Sequence, residues 1–444
     1  MTTCYLLFTT TDGALRMVVL VHAHSLGFSA FQVALMFSLY ELAGVFTNIA
    51  AGLAGARWGL RSTLLGGLAV QLACIALLWG FGIAWPEPHA QWRALAYVAA
   101  AAGLGGVAKD LVKLGGKTVT KLVTPEERQS RLFAVVAWLT GAKNSMKGVG
   151  YFVGAASLAV SFDFALGLNL VLIALALPIA ALGLRPGLGR ARGKNVTLAA
   201  MLSPAPNVRA LSLARALLFG SRDLWFEVAL PFYLRNEAQG LGWSRELTGA
   251  LLAGFIIAYG QVQSATPRLL LRPLRQEPAN KLVQVLWNGV LTLVCLALAL
   301  LLGAAPAPAA HSVPGLAGAL CALLLVFCVV FAVNSAVHSY LIVRYAGSDK
   351  VAADVGFYYM SNAAGRLGGV LVSGALYEFS APGNSTAALG WCFAASVLAS
   401  AAATALTLRI EDQEGGLQCG ACGCVAGAGG GAQGARAAEA EGKA

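Results

Sequence analysis

Long apolar segments recur along the whole chain of 444 residues and constrain its fold more than any other feature. A membrane-spanning helix needs roughly 20 mostly apolar residues, and about twelve stretches meet this requirement. They lie near residues 4–24, 30–55, 63–84, 93–117, 131–160, 164–184, 209–235, 245–265, 282–303, 314–344, 353–378 and 387–409. Lipid cannot hydrogen-bond free backbone groups, so such segments cross a bilayer as helices. The pattern predicts an all-α, multi-pass integral membrane protein.

The basic residues indicate how these helices are oriented. The formal net charge is +11, although only 11% of the residues are charged. If both termini are inside, only Arg93, Arg235 and Arg245 fall in outward loops or helix ends. The other loop and helix-end bases, apart from those in the tail, fall on the inward side. The positive-inside rule then predicts cytoplasmic termini, and we expect a plasma or inner membrane. Most of the positive charge is thus a topology signal and implies no nucleic-acid partner.

Composition divides the chain into four parts. Residues 185–208 form a basic, proline-broken cytoplasmic loop between two six-helix bundles, 1–184 and 209–409. Residues 410–444 form a tail rich in Gly and Ala, too poor in large apolar residues to fold alone, and we expect it to be disordered. Its cysteines are Cys419, Cys422 and Cys424. They are open to interpretation as incidental residues, as a soft-metal or As(III) site, or as palmitoylation sites.

The two bundles carry a weak internal repeat. Leu26–Ser29 recurs as Leu241–Ser244, and the same offset places Asp12 on Glu227. Further matches in the same order are Gly150 and Gly154 with Gly365 and Gly369, and Asn144 with Asn362. Small residues four apart let helices approach closely. Together these matches predict two six-helix pseudo-repeats, an arrangement typical of secondary transporters.

Ionisable residues inside the spans are the strongest functional signal. The basic ones, which we predict to bind substrate, are Arg16, Lys109, Lys113, Lys143, Lys147, Arg222 and Arg366. The acidic ones are Asp12, Glu41, Asp110, Asp223 and Glu227. A base at a helix centre costs roughly 2.5–3.5 kcal/mol on insertion scales, so most of them should face a wet cavity or one another. Four of the basic residues lie roughly 18–20 Å past an inner helix end, near the midplane where transporters hold substrate. These four are Arg16, Lys143, Arg222 and Arg366.

Two interpretations of these charges remain open. Arg16 could pair with Asp12, Lys113 with Asp110, and Arg222 with Asp223 or Glu227, which would neutralise part of the charge. The bases outnumber the acids, however, so pairing cannot account for all of them. Asp12 and Glu227 are alternatively protonatable coupling groups. A cavity with surplus cations favours a small multivalent anion. The spans contain no metal-spaced or cofactor motif and no nucleophile elbow, so we expect no metal, no cofactor and no enzyme activity.

The loop after the second span resembles a known family signature. It runs from Gly52 to Arg61 and contains Arg57 and Gly59. This is similar to the loop between helices 2 and 3 of the major facilitator superfamily, which implies the fold of that superfamily. The signature's Asp is replaced here by Ala56. The resemblance assigns Gly52, Arg57, Gly59 and Arg61 to a gating loop, and the missing Asp indicates a different set of gating contacts.

Charged strings within the spans resemble a narrower family, the organoarsenical efflux permeases (ArsJ type) of the same superfamily. The similar stretches are Thr11–Arg16, Ala108–Leu111 with Lys113, Lys121–Val123, Pro125–Glu126, Arg131–Phe133, Leu139–Asn144, Lys147–Gly150 and Phe219–Phe226. The resemblance runs through residues 9–410 and does not include the cysteines of the tail.

The resemblance implies export of 1-arseno-3-phosphoglycerate and hence arsenate resistance. In that pathway a glyceraldehyde-3-phosphate dehydrogenase forms the ester from arsenate, which implies a functional link to that enzyme. The residues alone leave two alternatives open. One is an organophosphate/phosphate exchanger, and the other is a non-transporting membrane sensor of anions that signals through the tail.

Overall fold

The computed structural model describes residues 2–58, 60–82, 91–123, 129–183, 203–277, 279–303, 315–346, 351–411, 416–420 and 423–427. Thirteen α-helices lie in this part of the chain. They are α1 (Thr2–Ser25), α2 (Ala30–Trp58), α3 (Leu60–Gly82), α4 (Gln91–Val123), α5 (Gln129–Val160), α6 (Phe162–Gly183), α7 (Pro206–Asp223), α8 (Ala229–Arg235), α9 (Arg245–Ala265), α10 (Lys281–Gly303), α11 (Leu316–Tyr345), α12 (Val351–Phe379) and α13 (Ser385–Leu408). A short π-helical segment, Thr266–Leu271, extends α9.

The helices account for the predicted membrane spans. Within the described residues, nine segments are long and apolar enough to cross a membrane. Helices α5 and α12 and the consecutive pair α7–α8 supply the remaining spans, and each of them carries ionisable residues within the predicted span. The all-α fold with two six-helix units is therefore confirmed. The charge-bearing spans are also the elements that build the candidate site.

Equivalent glycines pack equivalent helices in the two halves, as the repeat predicted. A Cβ atom added at Gly150 of α5 would collide with the carbonyl oxygen of Thr10 in α1. A Cβ atom added at Gly365 of α12 would likewise collide with the carbonyl oxygen of Ala216 in α7. Only glycine allows the backbones to come this close. The contact brings Arg16 of α1 and Arg222 of α7 beside helices that carry further cations.

The two halves meet along long helix pairs. Helix α5 lies antiparallel to α9, where a Cβ atom at Gly141 would collide with Gly260 and one at Gly148 would crowd Ile257. Helix α2 lies along α12, and the backbone N–H of Phe31 donates to Glu378 at 3.0 Å. This contact joins the halves at the end of the bundle that the charge distribution assigns to the outside.

The seventh predicted span is two helices rather than one. Helix α7 ends at Asp223, residues 224–228 form turns, and α8 begins at Ala229. Pro231 explains the break, because it has no N–H to donate to the carbonyl of Glu227 and its ring would clash with that carbonyl. The freed N–H of Ala229 is accepted by the Ser373 hydroxyl at 3.3 Å. Discontinuous helices of this kind border the binding sites of transporters.

Two predicted regions lie largely outside the described residues. Of the central loop 185–208, only residues 203–208 are described. The tail, predicted to be disordered, contains two short antiparallel strands, β1 (Gly416–Gly420) and β2 (Gly423–Gly427), with Cys419 opposite Cys424. Cys422 and residues 428–444 lie outside the described part.

Candidate functional site

Two buried glutamates are the centre of an ion-pair network between the halves. The side chains of Glu41 in α2 and Glu227 in the α7–α8 break are 1% and 3% exposed. One guanidinium nitrogen of Arg16 lies 2.8 Å from Glu41, and the other lies 2.6 Å from Glu227. Arg16 therefore bridges a carboxylate of the N-terminal half and a carboxylate of the C-terminal half.

Arg366 of α12 makes a second bridge. Its Nε lies 2.7 Å from Asp223, and its Nη2 lies 2.9 Å from Glu41 and 3.1 Å from Glu227. Arg222 lies 2.5 Å from Asp223 and 3.8 Å from Glu227. The predicted partners of Arg222 are therefore present, although both belong to its own broken span. The three-way sharing by Arg366 had no signal in the sequence, because its partners come from distant parts of the chain.

Arg16 does not pair with Asp12 as the spacing suggested. Instead the Asp12 carboxylate accepts a hydrogen bond of 2.6 Å from the Tyr40 hydroxyl. The physical reason is that Glu41 and Glu227 are almost fully buried, so they gain more from a cation than a half-buried Asp12 does. Arg16 also lies over the Tyr40 ring, 4.7 Å from its centre.

The lysines of α4 and α5 lie at the edge of this network. Lys109 is 3.8 Å from Glu41 and Lys147 is 3.8 Å from Glu227. Lys113 lies 3.7 Å from Asp110, as the i,i+3 spacing suggested, and donates to the Asn48 side chain at 3.0 Å. These distances are long for ion pairs, so the ammonium groups remain available to a ligand.

Lys143 differs from the other lysines. It is half-buried, and no carboxylate within the described residues lies within ion-pair distance of it. The charges that act on its ammonium group are cations, foremost Lys113 and Lys147. A half-buried cation surrounded by cations is unfavourable without a counter-charge.

Arg215 is a buried cation that the sequence analysis missed. It was counted as a helix-end residue on the inward side, but the structure places it in α7 with 5% exposure. It donates to the side-chain oxygen of Asn362 at 3.0 Å and to the carbonyl of Ser335 at 3.5 Å. Its guanidinium stacks 3.6 Å from the centre of the Phe219 ring. The spacing from Arg222, seven residues or two turns, was the signal that could have revealed it.

A chain of buried amides and hydroxyls joins Arg215 to the N-terminal half. The Asn144 amide donates to Gln263 at 2.7 Å, and Gln263 donates to the Ser335 hydroxyl at 3.1 Å. The repeat-related residues Asn144 and Asn362 therefore lie at opposite ends of one hydrogen-bonded path. This path crosses the interface between the halves.

The predicted gating loop is only partly described. Gly52 and Arg57 lie in α2, in a stretch whose side chains are not described, and Gly59 lies outside the described residues. Arg61 in α3 donates to the carbonyl of Ala181 at 2.8 Å, which ties α3 to the end of α6. The gating role stays a prediction.

The charges of the site leave an excess of three positive charges. The basic members are Arg16, Lys109, Lys113, Lys143, Lys147, Arg215, Arg222 and Arg366, and the acidic members are Asp12, Glu41, Asp110, Asp223 and Glu227. Within the described residues, no group of three or more His, Cys, Asp or Glu side chains could hold a metal ion. The arrangement can attract and hold an anion between the two halves.

The spanning helices, the broken seventh span and the ionisable network between two pseudo-repeats define a membrane transporter. The sequence matches the family model of the Major Facilitator Superfamily over residues 1–369. The chain belongs to the major facilitator superfamily.

Solved structures show the same fold. A bacterial homologue of the iron transporter ferroportin, in an outward-facing state, has a TM-score of 0.64 at 14% identity and covers 92% of this chain and 98% of its own. The human organic anion transporter MFSD10 (TETRAN) has a TM-score of 0.62 at 16% identity and covers 90% of this chain and 98% of its own. No curated protein sequence matches this chain. The superfamily is thus established, while the organoarsenical branch stays a prediction.

Proposed function

We propose that this transporter exports a small multivalent organic anion, 1-arseno-3-phosphoglycerate, by alternating access and thereby confers arsenate resistance. The observation that carries the proposal is the excess of cations at the interface of the halves, above all Lys143, which has no carboxylate partner in the described structure. A bound anion would supply the missing counter-charge. Its departure would restore the repulsion that Lys113 and Lys147 exert on Lys143.

The chemistry of the cations suits a substrate with an oxyanion at each end. Arginine binds phosphate-like groups through two parallel hydrogen bonds, and lysine acts as a point charge. Arg222 and Arg366 come from the C-terminal half, whereas Lys109, Lys143 and Lys147 come from the N-terminal half. An arsenate ester at one end and a phosphate at the other would contact both sets. Moreover, the strings that resemble organoarsenical permeases contain Arg16, the four lysines and Arg222.

The charge of the proposed substrate favours export. An inside-negative potential favours outward movement of an anion by about 2.3 kcal/mol per charge per 100 mV. Export therefore requires no proton exchange on energetic grounds. The human organic anion transporter with the same fold is consistent with anionic cargo in such a scaffold.

The test uses everted membrane vesicles, whose lumen corresponds to the outside of the cell. The unstable ester is generated next to the membrane from arsenate, glyceraldehyde 3-phosphate, NAD and the dehydrogenase. We expect arsenic to accumulate in vesicles that contain the protein, and only when the dehydrogenase is present. Omission of the dehydrogenase controls for transport of arsenate itself. The Lys143→Ala variant tests whether accumulation depends on the proposed site.

Two outcomes would contradict the proposal. If arsenic accumulates equally with and without the dehydrogenase, or not at all with the protein detected in the membrane, the organoarsenical is not the cargo. If labelled phosphoglycerate, supplied without arsenate or the dehydrogenase, accumulates in exchange for internal phosphate, the protein is an organophosphate/phosphate exchanger. In a sensitive host, co-expression with the dehydrogenase should raise arsenate resistance, and Lys143→Ala should abolish the gain.

A further inference from the structure

A second group of buried polar side chains surrounds Arg215, apart from the glutamate network. No carboxylate among the described residues lies within ion-pair distance of Arg215, although it is 5% exposed. Its described contacts with oxygen are the amide of Asn362 and the carbonyl of Ser335. Neither carries a charge that would balance the guanidinium. Burial of a cation without such a balance is strongly unfavourable.

Three fully buried polar groups close to Arg215 have no hydrogen-bond partner in the described structure. They are both ring nitrogens of His338, the hydroxyl of Tyr358 and the hydroxyl of Ser212. His338 lies one turn from Ser335 on α11, and the positive charge of Arg215 acts on it. The Tyr358 ring centre is 5.3 Å from the guanidinium carbon. Ser212 is one turn from Arg215 on α7.

A tetrahedral oxyanion can accept a hydrogen bond from each of these side chains. Arginine, serine and tyrosine donate to its oxygens, and neutral histidine donates through one ring nitrogen. Leaving a buried donor unpaired is unfavourable, so three such donors beside an unbalanced cation favour the binding of an anion. A cation is excluded by the charge of Arg215. We propose that Ser212, Arg215, His338 and Tyr358 form a binding site for a phosphate-type oxyanion.

The inference does not depend on the identity of the exported ester. The same chemistry recognises free inorganic phosphate or arsenate and the phosphate end of an organic ester. The site lies in the C-terminal half, since its residues come from α7, α11 and α12. The amide path through Gln263 connects it to Asn144 in the N-terminal half.

The experiment measures thermal unfolding of the purified full-length protein in detergent at constant ionic strength. The probes are inorganic phosphate, arsenate and glycerol 3-phosphate. We expect a saturable rise of Tm with at least one probe. Arg215→Gln should weaken the apparent affinity at least tenfold, whereas Arg209→Gln should not change it. Arg209 is exposed on the same helix, so this control removes the same charge.

Tyr358→Phe tests the site even if Arg215→Gln does not fold. Removal of an unpaired buried hydroxyl should leave the Tm without probe unchanged or higher. The rise of Tm caused by the probe should become smaller. An unchanged or higher Tm without probe, together with a smaller rise with probe, indicates a ligand contact. A purely structural role of the hydroxyl would instead lower the Tm both with and without probe.

The probes also identify the source of the oxyanion. Saturation by phosphate or arsenate alone supports a site for free oxyanion, and saturation by glycerol 3-phosphate only supports a site for an ester end. The proposal is overturned if no probe raises the Tm, or if Arg215→Gln responds as the unmodified protein does. It is also overturned if Lys143→Met abolishes the response while Arg215→Gln and Tyr358→Phe keep it.

Discussion

Arg366 and Lys143 carry the same charge in the same site, but the structure predicts a large loss of stability when Arg366 is replaced by methionine and almost none when Lys143 is. Arg366 is shared by Asp223 at 2.7 Å, Glu41 at 2.9 Å and Glu227 at 3.1 Å. These carboxylates are nearly inaccessible to water. Lys143 has no carboxylate partner among the described residues. Each substitution removes one positive charge and keeps an apolar side chain of similar length.

The expected magnitudes follow from the partners that remain. Removing one member of a buried ion pair costs about 3–5 kcal/mol. After Arg366→Met, Arg16 still pairs with Glu41 and Glu227, and Arg222 still pairs with Asp223. We therefore expect a loss near the lower end, about 3 kcal/mol. Lys143→Met breaks no ion pair and relieves repulsion, so the free energy of unfolding should change by less than about 1 kcal/mol.

The assay is reversible unfolding in mixed micelles, followed by tryptophan fluorescence, with membrane insertion checked for each variant. The two variants should differ by roughly 100-fold in their unfolding equilibrium constants. Both should lose transport in the everted vesicles. If Lys143→Met destabilises the protein as much as Arg366→Met, the assignment of Arg366 as shared and Lys143 as unpartnered is refuted. If Lys143→Met transports normally, the cation site is not where the substrate binds.

Three further predictions concern packing, the helix break and the tail. Gly150→Ala and Gly365→Ala should each lower the free energy of unfolding by about 1–3 kcal/mol, measured in the same micelles, whereas Gly368→Ala, whose Cβ atom would meet no neighbour, should not. Ser373→Ala should cost about 1–3 kcal/mol because it leaves the freed N–H at the break unpaired, and an unchanged midpoint would contradict this. Truncation after Glu411, which Asn207 binds through two hydrogen bonds, should leave transport intact, which would remove the motive for the sensor alternative; loss of transport would contradict this.

The number of spans, the two halves and the packing glycines could be predicted because each depends on local composition or on a repeated spacing. The break in the seventh span could have been predicted from Pro231, but the apolar run conceals it, since hydropathy does not depend on backbone hydrogen bonding. The pairing of Arg16 with Glu41 and Glu227 could not have been predicted from the sequence. Near neighbours such as Asp12 are evident from spacing, whereas tertiary contacts decide which carboxylate is buried deeply enough to need the cation.

Arg215 shows why a charge near a predicted helix end is ambiguous. The positive-inside rule assigns it to topology, because it lies within a turn or two of the predicted start at residue 209. In the structure α7 starts at Pro206, and Arg215 lies more than two turns inside the helix, against Phe219. The depth of a basic residue along its helix, rather than its distance from a hydropathy boundary, distinguishes a buried residue of the site from a topology signal.

The two halves share the same glycine-mediated helix packing but differ in the type of cation that they contribute to the site. The N-terminal half contributes Lys109, Lys113, Lys143 and Lys147, and the C-terminal half contributes Arg215, Arg222 and Arg366; Arg16 departs from this division. Lysine is a strongly hydrated point charge, and the guanidinium is a planar fork with fixed donors. The proposed anionic substrate would therefore meet non-directional attraction on one side and geometrically specific hydrogen bonds on the other. Because alternating access moves one half against the other, we expect the side with fixed donor geometry to determine which substrates fit in the proposed site, and the lysine side to change its contacts during the motion without loss of charge.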